Sequence, residues 1–130
     1  MKLTEEIKLL SHSMLGTNDI DRAKNFYEQI FSLIQGSQLY RSERMVFWEF
    51  EQSEGKFAIA KPFDDKPATA GNGTMVALKL KSPELVSQVY AKAIEIGATC
   101  EGGPGKRGDG EFFAAYFRDL DQNKIAIFCQ

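Results

Sequence analysis

The chain contains one histidine, two cysteines and one tryptophan in 130 residues. A lone imidazole, His12, excludes a metal centre built from several histidines, so any further ligands would have to be acids or thiolates. Cys100 and Cys129 are too few for a disulfide framework and form neither a CxxC pair nor a Cys/His cluster, so reduced thiols in a cytoplasm are the expected state. No stretch approaches the ~18 apolar residues that span a bilayer. Met1-Lys2-Leu3-Thr4-Glu5-Glu6 puts acids where a signal peptide has its apolar centre. Membrane insertion and secretion are therefore not expected. Basic runs are also missing: Arg41-Ser42-Glu43-Arg44 mixes signs, and a formal net charge of -2 offers polyanions no attraction, which argues against nucleic acid as a partner.

What is present is ordinary for a globular protein, 43% hydrophobic and 26% charged. A chain of this length reads as one domain, residues 1–130, able to bury roughly 68–70% of its unfolded surface without covalent staples.

The pattern is written twice. Ser11-His12-Ser13-Met14-Leu15, followed by a helix opening at Asn18 or Asp19, is echoed by Thr74-Met75-Val76-Ala77-Leu78, followed by a helix opening at Ser82. In the first helix Ile20, Ala23, Phe26, Tyr27, Ile30, Phe31 and Ile34 recur at three- and four-residue spacing, one apolar stripe, and Gly36 ends it. Strands follow over about Gln38–Arg41, Met45–Glu51 and Lys56–Lys61, with Met45, Phe47 and Glu49 on one face of the second and Val46, Trp48 and Phe50 on the other. The second helix has Ser82 as cap, Pro83 in its first turn and Gly97 as its left-handed stop. A short strand at Thr99–Glu101, a loop of five glycines over Gly102–Gly110 and a hairpin of Phe112–Arg118 with Lys124–Cys129 complete the half. Each half is strand, helix, three strands: module one about 9–61, a linker about 62–73, module two about 74–130, with residues 1–8 as an N-terminal extension.

This order resembles the vicinal oxygen chelate superfamily, which includes glyoxalase, bleomycin-resistance proteins and extradiol dioxygenases. The resemblance covers about residues 9–129. It is carried by His12-Ser13-Met14-Leu15-Gly16-Thr17-Asn18-Asp19-Ile20-Asp21-Arg22-Ala23-Lys24-Asn25-Phe26-Tyr27 and by Tyr116-Phe117-Arg118-Asp119-Leu120-Asp121-Gln122-Asn123-Lys124-Ile125, against the family patterns HxxLxVxDxxxAxxFY and YFxDPDGNxIE. It implies an α+β fold of two βαβββ modules forming a glyoxalase-like half-barrel, a ligand in the concave face and a homodimer. It also implies metal ligands at His12, near Ala58, at Met75 and at Ala126. Only the first of these is a ligand type, because methyl groups and a thioether do not satisfy Zn, Ni, Mn or Fe.

The hairpin logic fills in the rest of the floor. If the turn of the first hairpin is Gln52–Gly55, Glu49 opposes Ala58; in the second hairpin Arg118 opposes Lys124, so Tyr116 opposes Ala126. The expected cavity floor is His12, Glu49, Met75 and Tyr116 amid alanines, with Trp48 as a wall. His12 and Glu49 are the candidate catalytic pair, and His12, Trp48, Met75 and Tyr116 the candidate ligand-binding set. Imidazole can donate or accept a proton near neutral pH, so His12 can position or deprotonate a ligand. The competing reading makes it a hydrogen-bonded wall residue, and for Trp48, Phe57, Phe112 and Phe113 the competing reading is core. The glycine loop lacks the GxxxxGKS order and precedes a strand, which argues against a phosphate cradle; a lid over the pocket mouth is its stronger functional reading.

Three functions follow as expectations. The first is a metal-free binder of a small, partly apolar organic molecule, with no cofactor and a second copy of the chain as partner. The second is a metal-dependent lyase or isomerase of the glyoxalase type, using His12 and Glu49 with ligands completed from a second chain and Zn, Ni, Mn or Fe as its divalent metal. The third is a non-catalytic dimerising module.

Overall fold

Gly16-Thr17-Asn18 interrupts an alternating strand, and the chain turns there into a helix whose first amides need an acceptor. A computed structural model describes residues 9–51 and 53–130, and in it Asp19 supplies that acceptor, taking a hydrogen bond from the Arg22 N–H at 3.0 Å. The extension expected at residues 1–8 lies outside the described residues. Module one runs β1 (His12–Gly16), α1 (Ile20–Phe31), a 3-10 turn (Ser32–Ile34), β2 (Gly36–Arg41), β3 (Met45–Phe50) and β4 (Ser53–Ala60). The helix stop is not Gly36: Gln35 takes the left-handed turn at φ 63, and Gly36 opens β2. A side chain at Gly36 would put its Cβ 2.8 Å from Phe50 and 2.9 Å from Phe31, so the glycine answers a close approach.

Module two repeats the order as β5 (Val76–Lys79), α2 (Pro83–Glu95), β6 (Thr99–Lys106), β7 (Phe113–Arg118) and β8 (Lys124–Cys129). Ser82 caps α2 by accepting from the Leu85 N–H at 3.1 Å, and Gly97 makes the left-handed exit at φ 115. β6 is longer than its composition suggests. The residues expected to start a loop at Gly102 continue the strand to Lys106, pairing with β7 through irregularities between Cys100 and Gly102 and between Gly102 and Gly105. Ladder bonds use only the backbone, so glycines do not prevent pairing, and their place here marks bulges.

The result is the expected α+β fold of two βαβββ modules. Each sheet has four strands, ordered β1-β4-β3-β2 and β5-β8-β7-β6, and remains open. In each, the edge pair is parallel and the hairpins antiparallel. No helix among the described residues is long and apolar enough to cross a membrane.

One hydrophobic cluster lies between the helices and the convex sides of both sheets. Phe26, Tyr27, Ile30 and Phe31 of α1 pack with Trp48 and Phe57; Val86, Val89 and Ala93 of α2 belong to the same cluster as Ala115, Phe117, Ile125 and Ile127. Phe26 and Phe117, ring centroids 6.3 Å apart, join the modules. Burying each large side chain contributes about 1.5–3 kcal/mol, but that attraction is non-directional. Direction comes from the β7–β8 turn. Buried Asp119 accepts from the Tyr27 hydroxyl at 2.6 Å, from the N–H groups of Asp121 and Asn123 at 2.8 and 2.9 Å, and from the Asn123 side-chain amide at 3.0 Å. Asn123 also donates to the Gly16 carbonyl at 2.9 Å, and Asp121 accepts from Thr17 Oγ1 at 2.6 Å and from the Asn18 N–H at 3.0 Å. The turn of one module thus holds the strand–helix junction of the other.

Asp119→Ala should leave the Tyr27 hydroxyl and two turn amides without their acceptor and destabilise the fold by about 3 kcal/mol, read as a lower urea midpoint. Burial, reinforced by the Asp119 charge, raises the Tyr27 phenol well above its ordinary value of 10.0. The native state then holds this proton more tightly than the unfolded chain. Its contribution is intact below about pH 10 and is lost as pH rises through the native value. Urea midpoints of Tyr27→Phe should therefore fall less steeply above that pH than those of the parent.

Candidate functional site

Register decides which side chains share the concave faces. β1 and β4 pair in parallel with Met14 opposite Ala58, and β3 pairs with β4 with Phe47 opposite Ala58. Their neighbours Leu15, Val46, Trp48, Phe57 and Ile59 belong to the core, so His12, Met14, Phe47 and Ala58 occupy the face turned away from the helices. The His12 ring meets Phe47 edge-on at 4.9 Å, and Phe47 meets Tyr40 at 6.4 Å. His12 is exposed, with Nδ1 3.0 Å from Ser11 Oγ.

Phe47, not Glu49, stands opposite Ala58. The expectation for Glu49 assumed a turn over residues 52–55, whereas β4 already begins at Ser53 and Phe50 pairs with it. The shorter connection moves the register by two residues, and a bulge between Trp48 and Phe50 leaves Glu49 exposed without a β4 partner. Parity along β3 gave the correct face for Phe47 and the turn length gave the wrong partner.

Trp48 is on the helix side. It is fully buried, packs against Phe31 at 5.3 Å and Tyr27 at 6.0 Å, and its indole N–H donates to Glu28 at 2.9 Å. The expected cavity wall is thus a core residue, because neighbours along a strand face opposite ways.

The second sheet follows the same rule. β5 and β8 pair with Ala77 opposite Ala126, and β7 brings Tyr116 opposite Ala126 with Arg118 opposite Lys124. Met14 with Ala58 and Ala77 with Ala126 are corresponding pairs, which makes His12 the counterpart of Met75. These two positions line one cavity of about 960 Å³ between the first strands of the modules, with Lys56, Ala77, Glu84 and Gln88 also on its wall. Of the predicted floor, the structure gathers His12 and Met75. Glu49, Trp48 and Tyr116 do not line that cavity. Tyr116 instead stands between Arg107 and Lys124, each 5.6 Å from its ring centroid. Lys124 was readable from the Arg118–Lys124 pairing; Arg107 was not, because its segment read as loop.

Open, paired βαβββ sheets with a duplicated register define a protein of the vicinal oxygen chelate type. The family model for the Glyoxalase/Bleomycin resistance protein/Dioxygenase superfamily matches residues 9–127, and the chain belongs to that superfamily. Among solved structures, a glyoxalase/bleomycin resistance protein from Albidiferax ferrireducens T118 is 32% identical over 95% of this chain and 99% of its own, with a TM-score of 0.84. The fosfomycin resistance protein FosX from Listeria monocytogenes is 19% identical over 96% of this chain and 95% of its own, TM-score 0.72. A lactoylglutathione lyase from Agrobacterium tumefaciens is 13% identical over 96% of each chain, TM-score 0.70. At these lower identities the likeness is one of fold. No curated protein matches the chain.

The superfamily usually binds a divalent metal. The residues at the corresponding positions do not fit one: His12, Ala58, Met75 and Ala126 supply a single imidazole, a thioether and two methyls, where a catalytic site keeps about three nitrogen, oxygen or thiolate ligands. No group of three or more His, Cys, Asp or Glu side chains able to hold a metal occurs among the described residues.

As the chain's only tryptophan, Trp48 reports on this arrangement. Its emission should be blue-shifted, resist iodide quenching and stay constant when molecules occupy the concave faces. A red-shifted, iodide-sensitive spectrum would place it at the cavity instead.

Proposed function

We propose that this member of the glyoxalase/bleomycin-resistance superfamily binds a small, partly apolar organic molecule without the family's divalent metal. One observation carries the reading: the family's ligand positions hold one imidazole beside methyls and a thioether, and two of them, His12 and Met75, line an open cavity of about 960 Å³. The cavity combines apolar surface from Met75, Ala77 and Leu78 with the polar tips of His12, Lys56 and Gln88. That mixture suits a ligand with an apolar body and one or two hydrogen-bonding groups. His12, held against Phe47 and open to solvent, is the residue best equipped to donate to it or accept from it.

A homodimer belongs to the same proposal. Met14 and Tyr40, on the face of the first sheet that carries Phe47, are 44% and 54% exposed, an apolar surface that a second copy would cover. Glu49, displaced to the bulge, lends no geometric support to a catalytic pair with His12.

Elemental analysis of protein purified without chelator should find Zn, Ni, Mn and Fe far below one per chain; stoichiometric metal would sink the metal-free reading. In a thermal-shift screen of metabolites, any compound that stabilises the protein should lose its effect on His12→Ala. An unchanged shift would remove His12 from the site.

A further inference from the structure

The two strand–helix junctions correspond, but only one of them is covered by described residues. At the β1–α1 junction the linker that precedes module two lies on the turn. Asn18 donates from its side-chain amide to the Ala68 carbonyl at 3.1 Å and accepts from the Ala68 N–H at 2.7 Å, and a Cβ on Gly16 would stand 3.1 Å from the Ala68 methyl. The β5–α2 junction instead faces a cavity. Lys79, Lys81 and Leu85 line the volume of about 960 Å³, together with Leu33, Ile34 and Phe50 of module one.

The repeat says which segment belongs there. The spacing that carries His12 to Met75 also carries the cap Asp19 to the cap Ser82, Gly16 to Lys79 and Asn18 to Lys81. Ala68 is as far ahead of Met75 as Glu5 is ahead of His12. The residues preceding module one therefore stand to the β5–α2 junction as the linker stands to the β1–α1 junction. Glu5 falls at the position of Ala68, where lysines replace the glycine and the asparagine that hold the linker.

Charge and apolar surface agree with that correspondence. Glu5 and Glu6 are opposite in sign to Lys79 and Lys81, and Leu3 and Ile7 on either side of them suit a wall containing Leu33, Ile34, Phe50 and Leu85. The chain also arrives at the right place. Leu10, just ahead of β1, lines the same cavity, and Leu9 and Leu10 are 93% and 84% exposed.

We infer that residues 3–8 dock on the β5–α2 junction of their own chain, with Glu5 and Glu6 against Lys79 and Lys81 and with Leu3 and Ile7 against the leucines and Phe50. The docked segment is then one wall of the cavity, whatever molecule the cavity takes.

The test uses the full chain at low salt, where ion pairs are least screened. Carbodiimide joins a carboxylate to a neighbouring amine with loss of water. Applied to a mixture of unlabelled and 15N-labelled protein and read by mass spectrometry, it should link Glu5 or Glu6 to Lys79 or Lys81 within single chains. Amide exchange of residues 3–8, followed by NMR, should be slower than in a free peptide of the same sequence. It should quicken by roughly fivefold in Lys79→Glu/Lys81→Glu and slow again when Glu5→Lys/Glu6→Lys is added, a rescue that a merely damaged fold would not show. Links that join labelled to unlabelled chains place the segment on a second copy and overturn docking within one chain. Peptide-like exchange in the unaltered protein, or protection indifferent to the charge reversal, overturns it as well.

Discussion

Asp119 accepts four hydrogen bonds in the protein interior, one of them from the Tyr27 hydroxyl in the other module. A carboxylate removed from water is costly unless its lone pairs are satisfied, so the turn and the helix must meet in one geometry. Hydrophobic burial would hold the modules together at many angles; the Asp119 clasp, with Asp121 and Asn123 gripping the β1–α1 junction, selects one. Both sheets are then held with one face packed on the helices and the other turned away from them. The cavity between β1 and β5 and the surface around Tyr116 depend on that orientation.

The duplicated unit has diverged mainly in what it presents on those faces. On the first sheet His12, Phe47 and Tyr40 form a row of edge-contacting rings on the same face as exposed Met14. On the second, small residues and glycines surround a tyrosine flanked by cations. The convex faces are similar by contrast, each packing β-branched and aromatic residues beneath a helix. Core packing restricts volume and polarity on one side of a strand, while alternation leaves the other side free to change.

Most of the fold was legible because its signals are local. The apolar stripes, Ser82-Pro83, Gly97 and the β7–β8 hairpin each act within a few residues, and the observed elements follow them. The departures share a cause. Glu49 was matched to Ala58 through an assumed turn, and the shorter connection substituted Phe47. Residues 102–106 read as loop because glycine has no strand preference, yet β7 recruits them through the backbone. Trp48 alternates with Phe47 along β3, so its place followed from which parity the helix covers, a fact supplied by packing against Tyr27 and Phe31.

The sequence by itself determined the doubled βαβββ order, the correspondence of His12 with Met75 and of Ala58 with Ala126, and the scarcity of metal-ligand side chains at those positions. These depend on spacing and residue type, which are visible along one dimension. The tertiary structure alone decided that His12 and Met75 share a cavity and that Arg107 lies against Tyr116. Both depend on register and close approach between strands distant in sequence, set by backbone pairing and packing that residue periodicity does not encode.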